Sequence, residues 1–299
     1  MKTFLEQYGV GLFILILISI LIAFASPIGR MIKTATNKQV KNVDTISTRE
    51  VQHATTDVSD YVYASLYNDG NLVLSSHEIQ DKENIMIDYG YTNMHPWTGT
   101  IDTPNMAVKT VTFKDIIKMR NCSSLFSFCQ NLEYIYNIEN LDTSECIDMQ
   151  SMFYYCKNLK ELNVNYFDTS NVTNMRCMFV NCNRLISLDL HSWNTSHVSR
   201  MDFMFDCCSN LQVLDISNFN TTKVPLMTDM FLNCYKLKKL DLSNFDTRNC
   251  VDMSRMFCQC FDLQEIIVSS KWNTTNADTK DMFTDCGIDH VTYIGGNAS

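Results

Sequence analysis

The stretch MFVNCNRLISLDLHSWNTSHVSRMDF, Met178 to Phe203, is followed at once by MFDCCSNLQVLDISNFNTTKVPLMTD, Met204 to Asp229. The two align without a gap. Each opens on Met-Phe, places a cysteine three positions after the Phe, and carries an aromatic-Asn-Thr triplet near its middle. Phe153, Phe179, Phe205, Phe231, Phe257 and Phe283 recur at one constant interval, each preceded by Met. Leu125-Phe126 lies one period earlier, after one inserted residue. Cys129, Cys156, Cys182, Cys208, Cys234, Cys260 and Cys286 keep the same register. A fixed period of this size is the mark of a solenoid, in which each unit buries its apolar face only against its neighbours.

Two local patterns share each period. Leu185, Leu188 and Leu190 follow the spacing L-x-x-L-x-L, and Leu211, Leu214 and Ile216 repeat it. Alternation over the last positions predicts a short parallel strand with these side chains inward. Val172, Met175, Met178-Phe179 and Cys182 then recur in steps of three and four, which predicts a short helix. Asx-Thr pairs such as Asp168-Thr169 and Asn194-Thr195 suit capping that helix or closing a turn. A unit holds about six apolar side chains, each contributing roughly 1.5–3 kcal/mol on burial. Ordering costs about 1–2 kcal/mol per residue, so no unit survives alone.

The run Leu240-Asp241-Leu242-Ser243-Asn244-Phe245-Asp246-Thr247, followed by Val251, Met253, Met256-Phe257 and Cys260, resembles the BspA-like leucine-rich repeat of bacterial surface proteins. The resemblance covers about residues 120 to 290. It implies a right-handed α/β coil with one short strand and one short helix per repeat, and a non-enzymatic role in adhesion at the cell surface. The ends depart from the pattern: Leu125 replaces Met, and Gly287-Ile288 replaces the Leu after the last cysteine. Both departures suit capping repeats.

Ahead of the repeats the chain changes character. No charge falls between Glu6 and Arg30, long enough for a helix across a hydrocarbon core of roughly 30 Å. Residues 1–29 therefore read as a membrane anchor or a signal peptide, with the membrane met through residues 9–26. Residues 30–59 read as a stalk. Tyr61 to Leu74, with Asp69-Gly70 between two strand-forming runs, gives a β-hairpin signal. Trp97, Ile101, Val111 and Phe113 point to further strands, making 60–115 a β-rich cap before the solenoid of 116–294 and a tail of 295–299. Lys and Arg after the span favour a cytoplasmic repeat region by the charge rule, whereas the family resemblance places it outside.

The chain has 299 residues and a formal charge of -9, with 24 Lys and Arg against 33 Asp and Glu. That balance argues against a nucleic-acid partner, which clustered cations would bind. The 13 cysteines form no C-x-x-C pair, and Cys207-Cys208 and Cys258-Gln259-Cys260 are too close for zinc ligation. No H-E-x-x-H pattern, phosphate loop or catalytic array appears, so no catalytic, cofactor or metal residue is assigned. The repeated cysteines and phenylalanines are expected to be structural. Partner binding falls instead to outward strand positions: Tyr134 and Tyr136, Glu161 and Asn163, Asp189 and His191, Asp215, Lys239 and Asp241, and Glu265. The partner would be a protein or a glycan; the alternative role is a spacer in an envelope or secretion apparatus.

Overall fold

The computed structural model describes residues 61–92 and 95–294. The expected anchor of 1–29, its span at 9–26, the stalk of 30–59 and the tail of 295–299 lie outside the described residues. Among the described residues no helix is long and apolar enough to cross a membrane.

The described residues form twelve strands: β1 (Val62–Tyr67), β2 (Asn71–Ser75), β3 (Ile85–Thr92), β4 (Thr110–Phe113), β5 (Ile117–Lys118), β6 (Tyr134–Tyr136), β7 (Leu141–Asp142), β8 (Ser187–Asp189), β9 (Val213–Asp215), β10 (Lys239–Leu242), β11 (Glu265–Val268) and β12 (Thr292–Tyr293). β1 and β2 are an antiparallel hairpin closed at Asp69-Gly70. Gly70 has φ +92°, and an added Cβ would lie 2.8 Å from the Ala107 carbonyl oxygen, so the turn admits only glycine. β2 then pairs in parallel with β4, and β4 with β6, so the hairpin sheet runs directly into the coils. Trp97 lies in a turn and Ile101 in a bend, neither in a strand.

From Phe126 onward the chain winds seven times, each coil anchored on one Phe of the repeat register. The rings of Phe153, Phe179, Phe205, Phe231 and Phe257 stack at centroid distances of 5.6–5.7 Å and interplanar angles of 4–6°. Phe126 and Phe283 extend this column at its two ends. The Met and Leu residues of the repeat fill the space around it as one continuous buried core. This is a β-solenoid, each turn of the coil taking one period of the sequence.

The short helix expected in every repeat does not form. Among the described residues the one helical element is a 3-10 turn at Ile138–Asn140. Where the helix was expected, two residues per coil adopt the left-handed conformation: Cys177 and Asn181, Phe203 and Cys207, Asp229 and Asn233, Arg255 and Gln259, with φ between 53 and 61°. Each such non-glycine residue costs of order 1–3 kcal/mol and breaks any α-helix. What offsets this is a ladder. Phe153, Phe179, Phe205, Phe231 and Phe257 donate their backbone N–H groups to the carbonyls of Met178, Met204, Met230, Met256 and Met282 in the following coil, at 2.9–3.0 Å. The intervening N–H groups close tight turns three positions back, as Met178 does to Met175 and Cys182 to Phe179. Steps of three and four therefore come from successive turns, whose inward residues share a helix's spacing while their amides bond between coils.

The Asx-Thr pairs do related work. Thr143, Thr169, Thr195, Thr221 and Thr247 donate their hydroxyls to the carbonyls of Asp168, Asn194, Asn220, Asp246 and Asn273 in the next coil, at 2.8–3.1 Å. From Thr169 to Thr247, each hydroxyl accepts the N–H of the same partner at 2.6–2.8 Å. The Asx side chain accepts the N–H two positions on, as Asn194 does from Ser196 and Asp168 from Ser170. The pair is an inter-coil clasp and a turn, not a helix cap.

At the last coil the pattern is blunted. Thr279 stands exposed where earlier coils bury Met201, Met227 and Met253. Gly287 packs so closely on coil 6 that a Cβ would fall 2.3 Å from the Leu263 carbonyl oxygen.

Candidate functional site

The repeated thiols from Cys129 to Cys260 each have a defined partner. Cys156, Cys182, Cys208, Cys234 and Cys260 donate their S–H to the carbonyls of Phe126, Phe153, Phe179, Phe205 and Phe231 in the preceding coil, at 3.1–3.2 Å. Cys129 does the same to Trp97, at 3.4 Å. Trp97 is thus the first rung of the ladder, its indole N–H held by the Leu125 carbonyl at 2.7 Å. None of the 13 cysteines is joined in a disulfide. Burial pushes the Cys129 thiol up to about 12 and those of Cys156, Cys182, Cys208 and Cys234 well above the ordinary range. A thiol so placed is a poor nucleophile and a poor metal ligand. Cys129 through Cys260 and Phe153 through Phe257 line the core, while Phe283 and Cys286, in the end coil, are half-buried. Among the described residues no group of three or more His, Cys, Asp or Glu side chains is placed to hold a metal ion.

The outward strand positions fall into three sheets, because the strand pairing is interrupted twice: β3-β1-β2-β4-β6, β8-β9 and β10-β11-β12. The first interruption is at coil 2. There Glu161–Asn165 forms no strand, although Lys160 still donates its N–H to the Glu133 carbonyl at 3.1 Å. A cleft of about 290 Å³ opens at this place, and Tyr134, Tyr136, Glu161 and Asn163 all line it. The two tyrosines, neighbours on one side of β6, present rings 6.3 Å apart and within 19° of parallel. Asn137, Glu139, Lys160 and Ser187 complete the polar wall. The Lys160 ammonium sits 4.9 Å over the Tyr134 ring and 2.6 Å from Glu133, whose carboxyl it holds below the usual range.

Lys160, Asn137 and Glu139 are not among the residues picked from sequence. The signal for them is the extra residue of the first period, which places Asn137 at φ 56° ahead of the 3-10 turn and swings Glu139 toward the strand side.

The remaining candidates lie along the other two sheets. Asp189, Asp215 and Asp241 each use one carboxylate oxygen to close the turn after the strand, accepting the N–H of His191, Ser217 and Ser243 at 3.0–3.1 Å. Hydrogen bonds from Ser217 hold the Asp215 carboxyl below its ordinary range. His191 approaches Asp215 at 3.8 Å, and Lys239 pairs with Glu265 at 2.7 Å. These six residues stand in rows along the strands and do not converge on one point.

A second polar feature lies on the turns. Arg176 and Arg200 flank the buried Asp202 at 2.6 and 2.9 Å, and Arg255 holds Asp229 at 2.6 Å. Asp206 and Asp229 each keep one buried oxygen without a partner, and burial raises both carboxyls above their usual range.

A family model described as "Mycoplasma protein of unknown function, DUF285" matches residues 98–212 and again 181–290. No curated protein matches the chain. The matched segments begin beside Trp97 and end in the blunted last coil, so they take in the whole run of clasps, thiol bonds and stacked rings. The chain belongs to the DUF285 family.

Proposed function

We propose that the chain is a non-enzymatic recognition protein of a bacterial cell surface, similar in role to BspA-like leucine-rich-repeat proteins, and that its strand side holds the partner. One observation carries this reading: the cleft beside Tyr134 and Tyr136, the place where a regular scaffold departs from its own repeat. Core positions are nearly identical from coil to coil, while the outward position of Tyr134 becomes Glu161, Ser187, Val213, Lys239 and Glu265 in the coils that follow. A rigid frame with one varied face is suited to binding. Large amphipathic rings such as Tyr supply much of the energy at such sites. The raised, buried thiols fit a role without covalent chemistry.

The proposed tether is residues 9–26, with the repeats outside the cell. Protease treatment of intact cells checks the sidedness: the reading expects the repeats to be cut without lysis, and protection until lysis overturns it. For recognition itself, Tyr134→Ala combined with Tyr136→Ala is expected to abolish partner capture by the purified full chain while leaving its melting temperature within a few degrees. Unchanged capture would refute the site.

A second reading, a stiff spacer in an envelope assembly, draws support from the Phe column, stacked over seven successive coils. It expects the partner to be an envelope protein of the same cell.

A further inference from the structure

Resting on the recognition reading above, we infer that the cleft beside β6 takes a neutral sugar, a pyranose ring of an uncharged glycan packed against the exposed Tyr136 ring. Tyr134 and Tyr136 carry nearly parallel rings 6.3 Å apart, 19° from parallel, and the Lys160 ammonium caps Tyr134 at 4.9 Å. Tyr136 keeps 51% of its surface exposed, so its ring is open to a ligand. A pyranose has a face of C–H groups that fits such a surface and a belt of hydroxyls that must both donate and accept.

The wall supplies that mixture. Glu139 and Glu161 accept, Lys160 donates, and Asn137, Asn163 and Ser187 do both. At about 290 Å³ the cleft stands near the low end of the roughly 300–1,000 Å³ typical of small-ligand sites.

Charge narrows the class further. Lys160 is already neutralised by Glu133 at 2.6 Å, leaving Glu139 and Glu161 as the surplus charge. A phosphate, sulfate, sialic acid or uronate would therefore enter against two carboxylates with no unpaired cation in the lining to meet it. A cationic ligand loses the best position as well, because the Lys160 ammonium already covers the Tyr134 face at 4.9 Å. Uncharged hydroxyls remain the chemistry that every lining group can satisfy.

The test applies the purified full chain, in detergent micelles, to an array of neutral, sialylated and sulfated glycans, and to a panel of enzymatically deglycosylated extracellular-matrix proteins. Neutral glycans are expected to bind in preference to their charged counterparts. Tyr136→Ala is expected to weaken that binding about tenfold, the loss of the one open aromatic contact. Tyr136→Phe keeps the ring and is expected to bind within about threefold of the parent, as is Lys223→Ala on a distant surface. Thermal melting of each variant separates lost binding from lost fold. Absence of neutral-glycan binding, or binding that ignores Tyr136→Ala, overturns the sugar assignment. If a deglycosylated protein instead binds in a Tyr136-dependent way, the sugar is wrong and the recognition reading stands. If nothing on either panel depends on Tyr136, both fall.

Discussion

Phe205 sits at the middle of the ring column, fully buried, with Phe179 and Phe231 each 5.6 Å away and within 6° of parallel. Phe283 closes the column, half-buried, with one ring neighbour at 5.4 Å. Phe205→Ala removes a whole ring from a packed interior, which costs about 3–5 kcal/mol. The upper part of that range applies here, because two stacked pairs of roughly 0.5–1.5 kcal/mol each are lost together. Phe283→Ala removes one pair and a partly hydrated ring, so about 1–2 kcal/mol is expected. Phe205→Leu keeps most of the volume and loses the two stacks, about 1–3 kcal/mol.

In a stacked array each coil depends on its neighbours, so the loss should also be local before it is global. Urea unfolding of the full chain, followed by far-UV circular dichroism, gives the ranking. Hydrogen exchange gives the place: the N–H groups of Phe179, Phe205 and Phe231, which bond to the following coil at 2.9–3.0 Å, should exchange faster in Phe205→Ala while that of Phe153 changes less. A Phe205→Ala penalty no larger than that of Phe283→Ala would refute the argument, since it would mean that the coils do not hold one another up.

Three further outcomes are expected. Thr221→Val, at a fully buried hydroxyl that donates to the Asp246 carbonyl at 3.0 Å and accepts the Asp246 N–H at 2.8 Å, should cost about 1–3 kcal/mol in the same urea titration by stranding buried polar groups. The raised Asp206 carboxyl favours the fold fully below its unfolded value, near 3.8, and that contribution is lost as pH rises through its higher folded value. Asp206→Asn should therefore melt above the parent at pH 7, with the gap closing toward pH 4; a gap that is absent at pH 7 or widens in acid would contradict the burial argument. Alkylation at pH 8 with mass-spectrometric readout should leave Cys156, Cys182, Cys208 and Cys234 unmodified in the native chain and label them all in urea.

The coil itself was readable because its cause is linear in sequence. Phe, Met and Cys return once in every period, and only stacking in register explains that. The hairpin was readable for the same kind of reason, since Asp69-Gly70 must supply a left-handed turn. The helix was misread because apolar spacing reports which side chains face inward and is silent on where the amides point. A left-handed residue such as Asn181 is compatible with its side chain, but nothing compels Cys177, Phe203 or Arg255 to adopt that conformation except the bonds to the next coil. Trp97 was hidden for a related reason: it lies too far ahead of Phe126 to fit the repeat register, and only the thiol bond from Cys129 shows it to be a rung.

The cleft shows how an irregularity of one residue becomes a site. The first period carries an insertion, which is spent on the left-handed Asn137 and the 3-10 turn at Ile138–Asn140. β6 therefore leaves its ladder early, and Glu161–Asn165 of coil 2, lacking a regular partner, forms no strand. Side chains that would otherwise stand in a flat row, as Lys239 and Glu265 do, instead surround a hollow beside the open Tyr136 ring. On the turns of the same coils the ladder stays intact, with Phe126, Phe153 and Phe179 bonded forward without a gap. The scaffold thus yields on the side where outward residues differ from coil to coil and holds on the side where the core is repeated. Deleting Asn137 to restore the regular period should let coil 2 pair as a strand and close the hollow. Tyr136-dependent binding would then be lost while the coil's stability held or rose.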